Sequence, residues 1–280
     1  MRHPNPHRTL YLGTRDGDLV GKPYAQFWHP RMAPLPSHVA AALLHGPVAS
    51  PLLPSLRAVT RLLEPGYQDL EDGYGTAEDG SVHVAVRTEL PEVTPAMIDW
   101  WFGWHSTEPM RYKLWHPRAH VHAQWEGDDP PGKAGRARYV GRTSFVDEYL
   151  GSKLSHVAIC FVSPEELGFD AAALADDAQV TMVCARIRLV ELPADAGYLV
   201  HHVRRVAGGG SEMRSRFWLG GAHAQVHIGP LIDGVVTQVA RRAMAPTLDT
   251  ARDLLVHCSQ EMSHLATFLP ALYAQLRDMH

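Results

Sequence analysis

The feature that most constrains the fold is a long series of strand-like segments followed by one long helical pattern. The series begins with SVHVAVRTEL, in which Val82, Val84 and Val86 alternate as in a half-buried strand. Further strand-like runs are AHVHAQW, RYVGRTSFVDEYL, HVAICFV, VTMVCARIRL, YLVHHVRRV and EMRSRFWLG. Turn residues around 208–210 favour hairpins over crossover helices. This order predicts an α+β fold, in which an antiparallel sheet curves around a helix at about residues 247–269.

The first part of the chain has a different composition. Prolines interrupt short apolar stretches there and permit only short helices, which we place at residues 37–44 and 55–63. A turn-rich connection at residues 64–80, EPGYQDLEDGYGTAEDG, is the best candidate boundary. We predict a small proline-rich, partly helical region at residues 1–75, which packs on the main domain or on a second subunit, and a main domain at residues 76–280.

Charge, cysteine content and hydrophobicity argue against several classes of protein. The formal net charge is −4 with both signs interspersed, so neither nucleic acid nor a membrane is a predicted partner. The three cysteines are widely spaced without a CxxC pair, which argues against a disulfide scaffold and a thiolate zinc site. No apolar run approaches the ~18 residues of a membrane-spanning helix, and no secretory signal is recognisable, so we expect a cytoplasmic protein.

Histidine is unusually frequent, with 18 residues, and it is the commonest metal ligand and a common general base. The sharpest local pattern is HCSQEMSHL in the terminal helix. His257 and Glu261 are four residues apart, so they share a helix face, and they lie in an apolar stripe with Leu254 and Phe268. A polar pair in such a stripe must be hydrogen-bonded or bound to a metal, because an unsatisfied buried charge is costly. The spacing alone leaves a metal site and an ordinary helix pair as alternatives.

A second cluster, WWFGWHSTEPMRYKLWHPRAHVHAQW at residues 100–125, combines four histidines, five tryptophans and Tyr112. Tryptophan and tyrosine line small-molecule pockets well because they combine rigid apolar surface with one polar group. Strict alternation in AHVHAQW places His120 and His122 on one face of a strand and Ala123 on the other. The polar face either looks into a cavity or faces solvent, and for His122 we expect solvent.

Together these motifs resemble the diacetylphloroglucinol hydrolase and phloretin hydrolase family. The resemblance rests on DWWFGWHSTEPMRYKLWHPRAH, VDEY, MRSRFW and HCSQEMSHLATFLP, and it covers about residues 90–270. It implies a helix-grip domain, the fold of START and pollen-allergen proteins, with a small N-terminal dimerisation region and hence a homodimer. It also implies hydrolysis of the carbon–carbon bond between an acyl group and a phloroglucinol-type ring, so the expected ligand is a small aromatic or polyketide molecule.

The resemblance further implies a zinc ion bound by two histidines and two glutamates. Carried over position by position, the ligands are His120, Glu148, His257 and Glu261. His116 is an alternative to His120, and by residue type alone Asp147 is an alternative to the first glutamate. Imidazole and carboxylate ligands suit Zn²⁺, and Mn²⁺ or Fe²⁺ are also compatible with them.

Other site residues are expected from the same motifs. Tyr112 is expected to orient a phenol or an oxyanion, and Trp101 and Trp104 to contact the substrate. A second proton is expected to be handled by His201 or His202, of which only one can face the site because neighbouring strand residues point to opposite faces. We favour His202.

Two expected substrate contacts depart from the family pattern. Phe217 in MRSRFW stands where the family tends to carry a catalytic tyrosine, and Ala123 stands where a polar, asparagine-like contact is expected. Both changes affect the substrate and not the metal. We therefore expect a retained metal site with a different substrate or a different proton route.

The predicted function is a metal-dependent hydrolase that cleaves a carbon–carbon bond in an acylphenol or a related β-diketone through metal-activated water. Protonation of the ring carbon makes it a leaving group, and a general acid or base must handle the protons. Two alternatives remain open. One is a non-catalytic small-molecule-binding protein of the same fold, and the other is a metal-dependent esterase, cyclase or lyase that acts on a polyketide.

Overall fold

A computed structural model describes residues 3–128, 132–191, 194–226 and 245–278. Within these ranges the strands form one antiparallel sheet with the order β1-β2-β8-β7-β6-β5-β4-β3, and β9 pairs with β7. The strands are β1 (Gly73–Thr76), β2 (Val82–Leu90), β3 (His120–Trp125), β4 (Thr143–Leu150), β5 (Lys153–Val162), β6 (Val180–Leu189), β7 (Ala194–Arg205), β8 (Ser211–Leu219) and β9 (Gln225–Val226). Neighbours from β3 to β8 are consecutive in the chain, as hairpin connections require.

The long C-terminal helix packs on the inner face of this sheet, against β1, β2 and β4. The α-helices are α1 (Ser37–His45), α2 (Pro95–Trp104), α3 (Pro109–Trp115), α4 (Leu248–Ala266) and α5 (Leu269–Leu276). This arrangement confirms the predicted α+β helix-grip fold. Among the described residues, no helix is both long enough and apolar enough to cross a membrane.

Local sequence sets the ends of α4. The Thr247 side chain accepts a hydrogen bond from the backbone N–H of Thr250 and so caps the first turn. The helix ends at Ala266, and α5 begins at Leu269 with Pro270 as its second residue. Proline lacks a backbone N–H and is tolerated in a first turn but not in a helix interior. The helix predicted at about residues 247–269 therefore ends three residues earlier than expected, and Pro270 lies in the first turn of the next helix.

The N-terminal region covers the outer face of the sheet. A 3₁₀ helix at Leu56–Leu63 contributes Val59 and Leu62 to an apolar cluster that includes Trp218 of β8. The indole N–H of Trp218 donates to the carbonyl of Pro54 at 2.7 Å. Strand β2 is buried at every residue from Val82 to Val86, so both of its faces are covered there and the prediction of a half-buried strand is wrong for this part. The candidate boundary after residue 75 falls within β1, which pairs with β2.

The first described residues lie behind β3 and β4. The ring of His3 packs on that of His122 with a centroid distance of 5.5 Å, and the Arg8 side chain bonds to Asp147. Farther along, the Lys113 ammonium donates to the carbonyl of Gly13 at 2.9 Å. His122 is therefore buried, which corrects the expectation that it faces solvent.

Candidate active site

Three side chains, His120 of β3 and His257 and Glu261 of α4, bring donor atoms within 4.8 Å of one another, and Glu148 of β4 lies beside this group. The Nε2 atoms of His120 and His257 are 3.3 Å apart. Glu261 Oε2 lies 3.4 Å from His120 Nε2 and 3.7 Å from His257 Nε2. Glu148 Oε2 lies 3.7 and 3.8 Å from the same two nitrogens. Ligands placed tetrahedrally at ~2.0–2.1 Å from a zinc ion have donor atoms ~3.4 Å apart, so the three grouped donors have the right spacing for such an ion, with Glu148 near enough to both histidines to be a fourth ligand.

A β-bulge in β3 sets which side chains reach this point. His120 pairs with Glu148 and His122 pairs with Asp147, so three residues of β3 oppose two of β4. The extra residue, Val121, sends His120 to the inner face and His122 to the outer face. Strict alternation is broken here, and the prediction that both histidines share a face is wrong.

A backbone carbonyl next to His120 fixes the tautomer of its imidazole ring. Its Nδ1 lies 3.0 Å from the carbonyl of Tyr112, which can only accept, so Nδ1 carries the proton and Nε2 presents a lone pair. The Tyr112 ring stacks on the His120 ring at a centroid distance of 3.7 Å. Its hydroxyl donates to Glu148. One tyrosine thus positions two of the four donor side chains.

The electrostatics of the cluster favour a cation. Burial lowers the pKa of His257 to about 4 and that of His120 well below its ordinary value, so both imidazoles are neutral near pH 7. Burial also raises the pKa of Glu148 to about 6, and that of Glu261 well above its ordinary value, with the Glu148 charge adding to the second shift. Two neutral imidazoles and two buried carboxylates fit a divalent ion, because its charge would stabilise both carboxylates.

The cluster forms part of the wall of an internal cavity of about 560 Å³. Glu148, His257 and Glu261 line this cavity, so the donor atoms are accessible from it. Most of the remaining wall is aromatic or aliphatic, as in Phe217 of β8 and Ile187 of β6. A cavity of this volume is suited to a small aromatic ligand.

The alternative ligands lie outside the convergence point. His116 stacks on the ring of His257 at a centroid distance of 4.8 Å but is not among the grouped donor atoms. Asp147 points to the outer face, where it binds Arg8 and His156. The structure therefore groups three of the four side chains that the resemblance implied, His120, His257 and Glu261, and places the fourth, Glu148, 3.7 Å from His120.

A family model described as "DAPG hydrolase PhiG domain" matches residues 52–274 of the sequence. The chain belongs to the DAPG hydrolase family. A 2,4-diacetylphloroglucinol hydrolase from Pseudomonas sp is 32% identical to it over 279 residues, covering 96% of this chain and 93% of that one. A phloretin hydrolase from Eubacterium ramulus is 26% identical over 260 residues, covering 91% of this chain and 90% of that one. These findings confirm the resemblance and the enzyme class, a hydrolase.

In this member of the DAPG hydrolase family, His201 and not His202 faces the cavity. His201 pairs with Ser215 in the neighbouring strand, and its Nδ1 lies 2.8 Å from the Ser215 hydroxyl. His202 pairs with Arg214 on the opposite, covered face. The preference for His202 is therefore wrong, because the choice depends on strand register, which the sequence did not reveal.

Of the four predicted substrate contacts, one lines the cavity and three pack elsewhere in the described part of the chain. Phe217 lines the cavity. Ala123 is fully buried opposite Val146 and packs into the core. Trp104 packs against Tyr24 and Trp100, away from the cavity lining.

Trp101 is also a core residue, and it is not one of the described residues that line the cavity. Its ring packs edge-to-face on Trp115 and Phe268, at centroid distances of 5.8 and 5.9 Å. The two tryptophans pack on neighbouring elements and do not line the cavity as the described residues form it, so the structure gives no support to their prediction as substrate contacts. The cavity instead receives Phe102 and His105 from the end of this helical segment.

Sequence reasoning missed His105 as a site residue. It follows Trp101 by four residues, one helical turn later, and its Nδ1 lies 2.9 Å from the Trp101 carbonyl. The WWFGWH motif contains the signal, since a histidine at the end of an otherwise apolar helix must satisfy its ring nitrogens.

Proposed function

We propose that this protein is a metal-dependent hydrolase that cleaves the carbon–carbon bond between an acyl group and a phenolic, phloroglucinol-like ring, or the equivalent bond of a β-diketone. The observation that carries the proposal is a group of two histidines and one glutamate at the wall of a largely apolar cavity, with a second glutamate 3.7 Å from one of the histidines. Membership of the DAPG hydrolase family supports the reaction type. The relatives named after 2,4-diacetylphloroglucinol and phloretin support an acylated phenol as substrate.

The metal would be held by His120, Glu148, His257 and Glu261. The donor set fits Zn²⁺ best, and Mn²⁺ or Fe²⁺ would also be accepted by these ligands. When bound, such an ion supplies Lewis acidity toward a carbonyl oxygen and lowers the pKa of a water molecule.

The reaction adds the elements of water across the carbon–carbon bond. The hydroxyl oxygen bonds to the acyl carbon, the electron pair of the broken bond goes to the ring carbon, and the ring carbon takes a proton. Tyr112 and His201 are the polar side chains placed to serve these steps. The Tyr112 hydroxyl donates its one proton to Glu148, and its oxygen can accept a hydrogen bond from a phenolic hydroxyl.

His201 is assigned to proton transfer by its position at the cavity wall. Burial lowers its pKa to about 3, so the imidazole is neutral near pH 7 and its ring can accept a hydrogen bond from a phenolic hydroxyl. Its Nδ1 is anchored on Ser215, and its ring packs on Phe102 and Phe217. These contacts hold the ring in one orientation at the cavity wall.

Replacing His201 with alanine is expected to lower kcat for an acylphloroglucinol by about 100-fold or more, since general acid–base groups contribute on this scale. His202→Ala is the matched control, because the neighbouring residue points to the covered face. It is expected to lower thermal stability and to leave kcat close to that of the wild type. Steady-state kinetics and thermal unfolding of both variants measure this difference. Equal kcat losses in the two variants would contradict the assignment of His201.

The experiment that tests the proposed function combines metal analysis with product identification. The purified protein is analysed for bound metal and then incubated in ¹⁸O-labelled water with an acylphloroglucinol, a simple aryl ester or a β-diketone. We expect a bound divalent metal, a carboxylic acid that carries ¹⁸O, and a deacylated ring. Loss of the acyl group without ¹⁸O incorporation would indicate a lyase, and exclusive ester cleavage an esterase. Binding without turnover would indicate a non-catalytic binding protein.

A further inference from the structure

His105 occupies an aromatic enclosure at the cavity wall, outside the set of groups assigned to the metal or to proton transfer. Its ring lies between those of Trp101 and Tyr112, at centroid distances of 5.5 and 5.7 Å with interplanar angles of 20° and 28°. Trp115 and Phe102 contact the ring edge-to-face at 5.2 and 5.6 Å. The side chain is only 3% exposed yet lines the cavity, so the small accessible part of the ring faces the ligand space.

The hydrogen bonding of His105 defines which ring nitrogen is available. Nδ1 lies 2.9 Å from the Trp101 carbonyl, which can only accept, so Nδ1 carries the proton. Nε2 then presents a lone pair, and none of the described residues donates a hydrogen bond to it. Nε2 therefore has no hydrogen-bond partner among the described residues. It is not fully enclosed either, so part of this atom remains accessible. Burial lowers the His105 pKa to about 4, which keeps the ring neutral and the lone pair free near pH 7.

His105 lies close to the reaction centre through a short series of stacked rings. It packs on Tyr112, whose ring stacks on His120 at 3.7 Å. A phenolic ring whose acyl carbon is directed at the metal ligands would carry its hydroxyl groups toward this part of the wall. A rigid, neutral acceptor in an apolar enclosure binds a hydroxyl donor well and cannot bind an ether oxygen in the same way.

We propose that His105 Nε2 accepts a hydrogen bond from a hydroxyl group of the substrate ring and thereby makes the site selective for free phenols over their O-methyl ethers. This inference rests on the proposed function, because it places an acylphenol in the cavity. It assigns His105 to substrate binding and leaves proton transfer to His201. Selectivity follows because a methyl ether brings no donor and leaves the acceptor unpaired in an apolar site.

Two substitutions separate this role from a packing role. The amide nitrogen of asparagine can replace Nδ1 and keep the hydrogen bond to the Trp101 carbonyl, but asparagine places no acceptor where Nε2 lies. The longer glutamine can place its amide oxygen near the position of Nε2. His105→Asn therefore removes the proposed contact, and His105→Gln is the matched variant that restores an acceptor.

The test measures binding of phloroglucinol and of its mono- and trimethyl ethers to the metal-loaded wild type and to both variants by calorimetry. The wild type is expected to bind phloroglucinol about 10- to 100-fold more tightly than the trimethyl ether, the range for one lost hydrogen bond to a buried acceptor. In His105→Asn this ratio is expected to fall to about threefold or less, and in His105→Gln to recover in part. An unchanged ratio in a folded His105→Asn protein overturns the inference, as does a wild type that does not discriminate.

A spectroscopic measurement on the wild type gives a second readout that does not depend on the variants folding. In protein labelled with ¹⁵N-histidine, the Nε2 resonance of His105 is expected to move when phloroglucinol binds and to stay in place with the trimethyl ether. A resonance that responds equally to both compounds overturns the inference. Because these are binding measurements on the ring, they can succeed in a protein that hydrolyses no acylphenol. Hydrolysis with no phenol selectivity would reject the role of His105 alone.

Discussion

Replacing His257 with alanine is expected to lower the metal content from about one ion per chain to near zero. Acylphenol hydrolysis is expected to fall by more than ~100-fold, which exceeds the usual cost of losing a hydrogen-bond partner of a metal ligand. His257 supplies one of the converging donor atoms, and its Nε2 lies 3.3 Å from that of His120. Without it, three ligands remain, and loss of the ion would leave the two buried carboxylates without the charge that stabilises them. Elemental analysis of the purified variant and a product assay measure both effects.

His264→Ala is the control for this prediction. His264 lies on the same helix and is also buried, but it is not among the grouped donor atoms. The control is expected to keep the metal and most of the activity. A His257→Ala protein that retains the wild-type metal content would rule out the assigned ligand set. Thermal unfolding with and without a chelator adds a check, since a bound metal stabilises only the folded state.

Replacing Tyr112 with phenylalanine is expected to reduce kcat/KM by about 100-fold, the upper end of the range for losing the hydrogen-bond partner of a metal ligand. The hydroxyl donates to Glu148, and Tyr112 lines the cavity. The variant loses this hydrogen bond and the polar group at the cavity wall. The ring stays, so its stacking on His120 and the carbonyl that fixes the His120 tautomer are preserved. Metal content is therefore expected to change little, and elemental analysis together with kinetics separates the two effects.

Tyr139→Phe is the matched control. The Tyr139 hydroxyl is also buried and donates to a carboxylate, that of Asp99, at 2.6 Å. This pair does not line the cavity in the described part of the chain, so its loss is expected to cost stability of about 1–3 kcal/mol and little activity. Wild-type kinetics in Tyr112→Phe would show that the hydroxyl has no part in the reaction.

The fold could be predicted because its determinants are local and repeated. Alternation in β2 and the turn residues before β8 indicated hairpins, and the apolar stripe of α4 indicated a helix that packs on the sheet. The cover on the outer face could not be predicted in the same way. It depends on where the 3₁₀ helix at Leu56–Leu63 docks, and no periodicity encodes that position.

The site was predicted to the extent that residue type decides it. The spacing of His257 and Glu261 puts them on one helix face whatever the surroundings. The sequence did not predict which face of the sheet each strand residue occupies, because a single extra residue reverses the faces of those that follow. Val121 is such a residue in β3, and register likewise decided between His201 and His202.

The four donor groups of the metal centre are far apart in the chain, with His120 and His257 separated by 137 residues. Helix α4 follows strands β1 to β9 in chain order, so the sheet is synthesised before the helix that covers its inner face. Until α4 docks, the apolar inner surface is exposed and only two of the donors can be near each other. A nascent chain is therefore at greatest risk of aggregation just before α4 emerges. With the proposed ligand set, capture of an ion would be a late step of folding, after the sheet and this helix have joined.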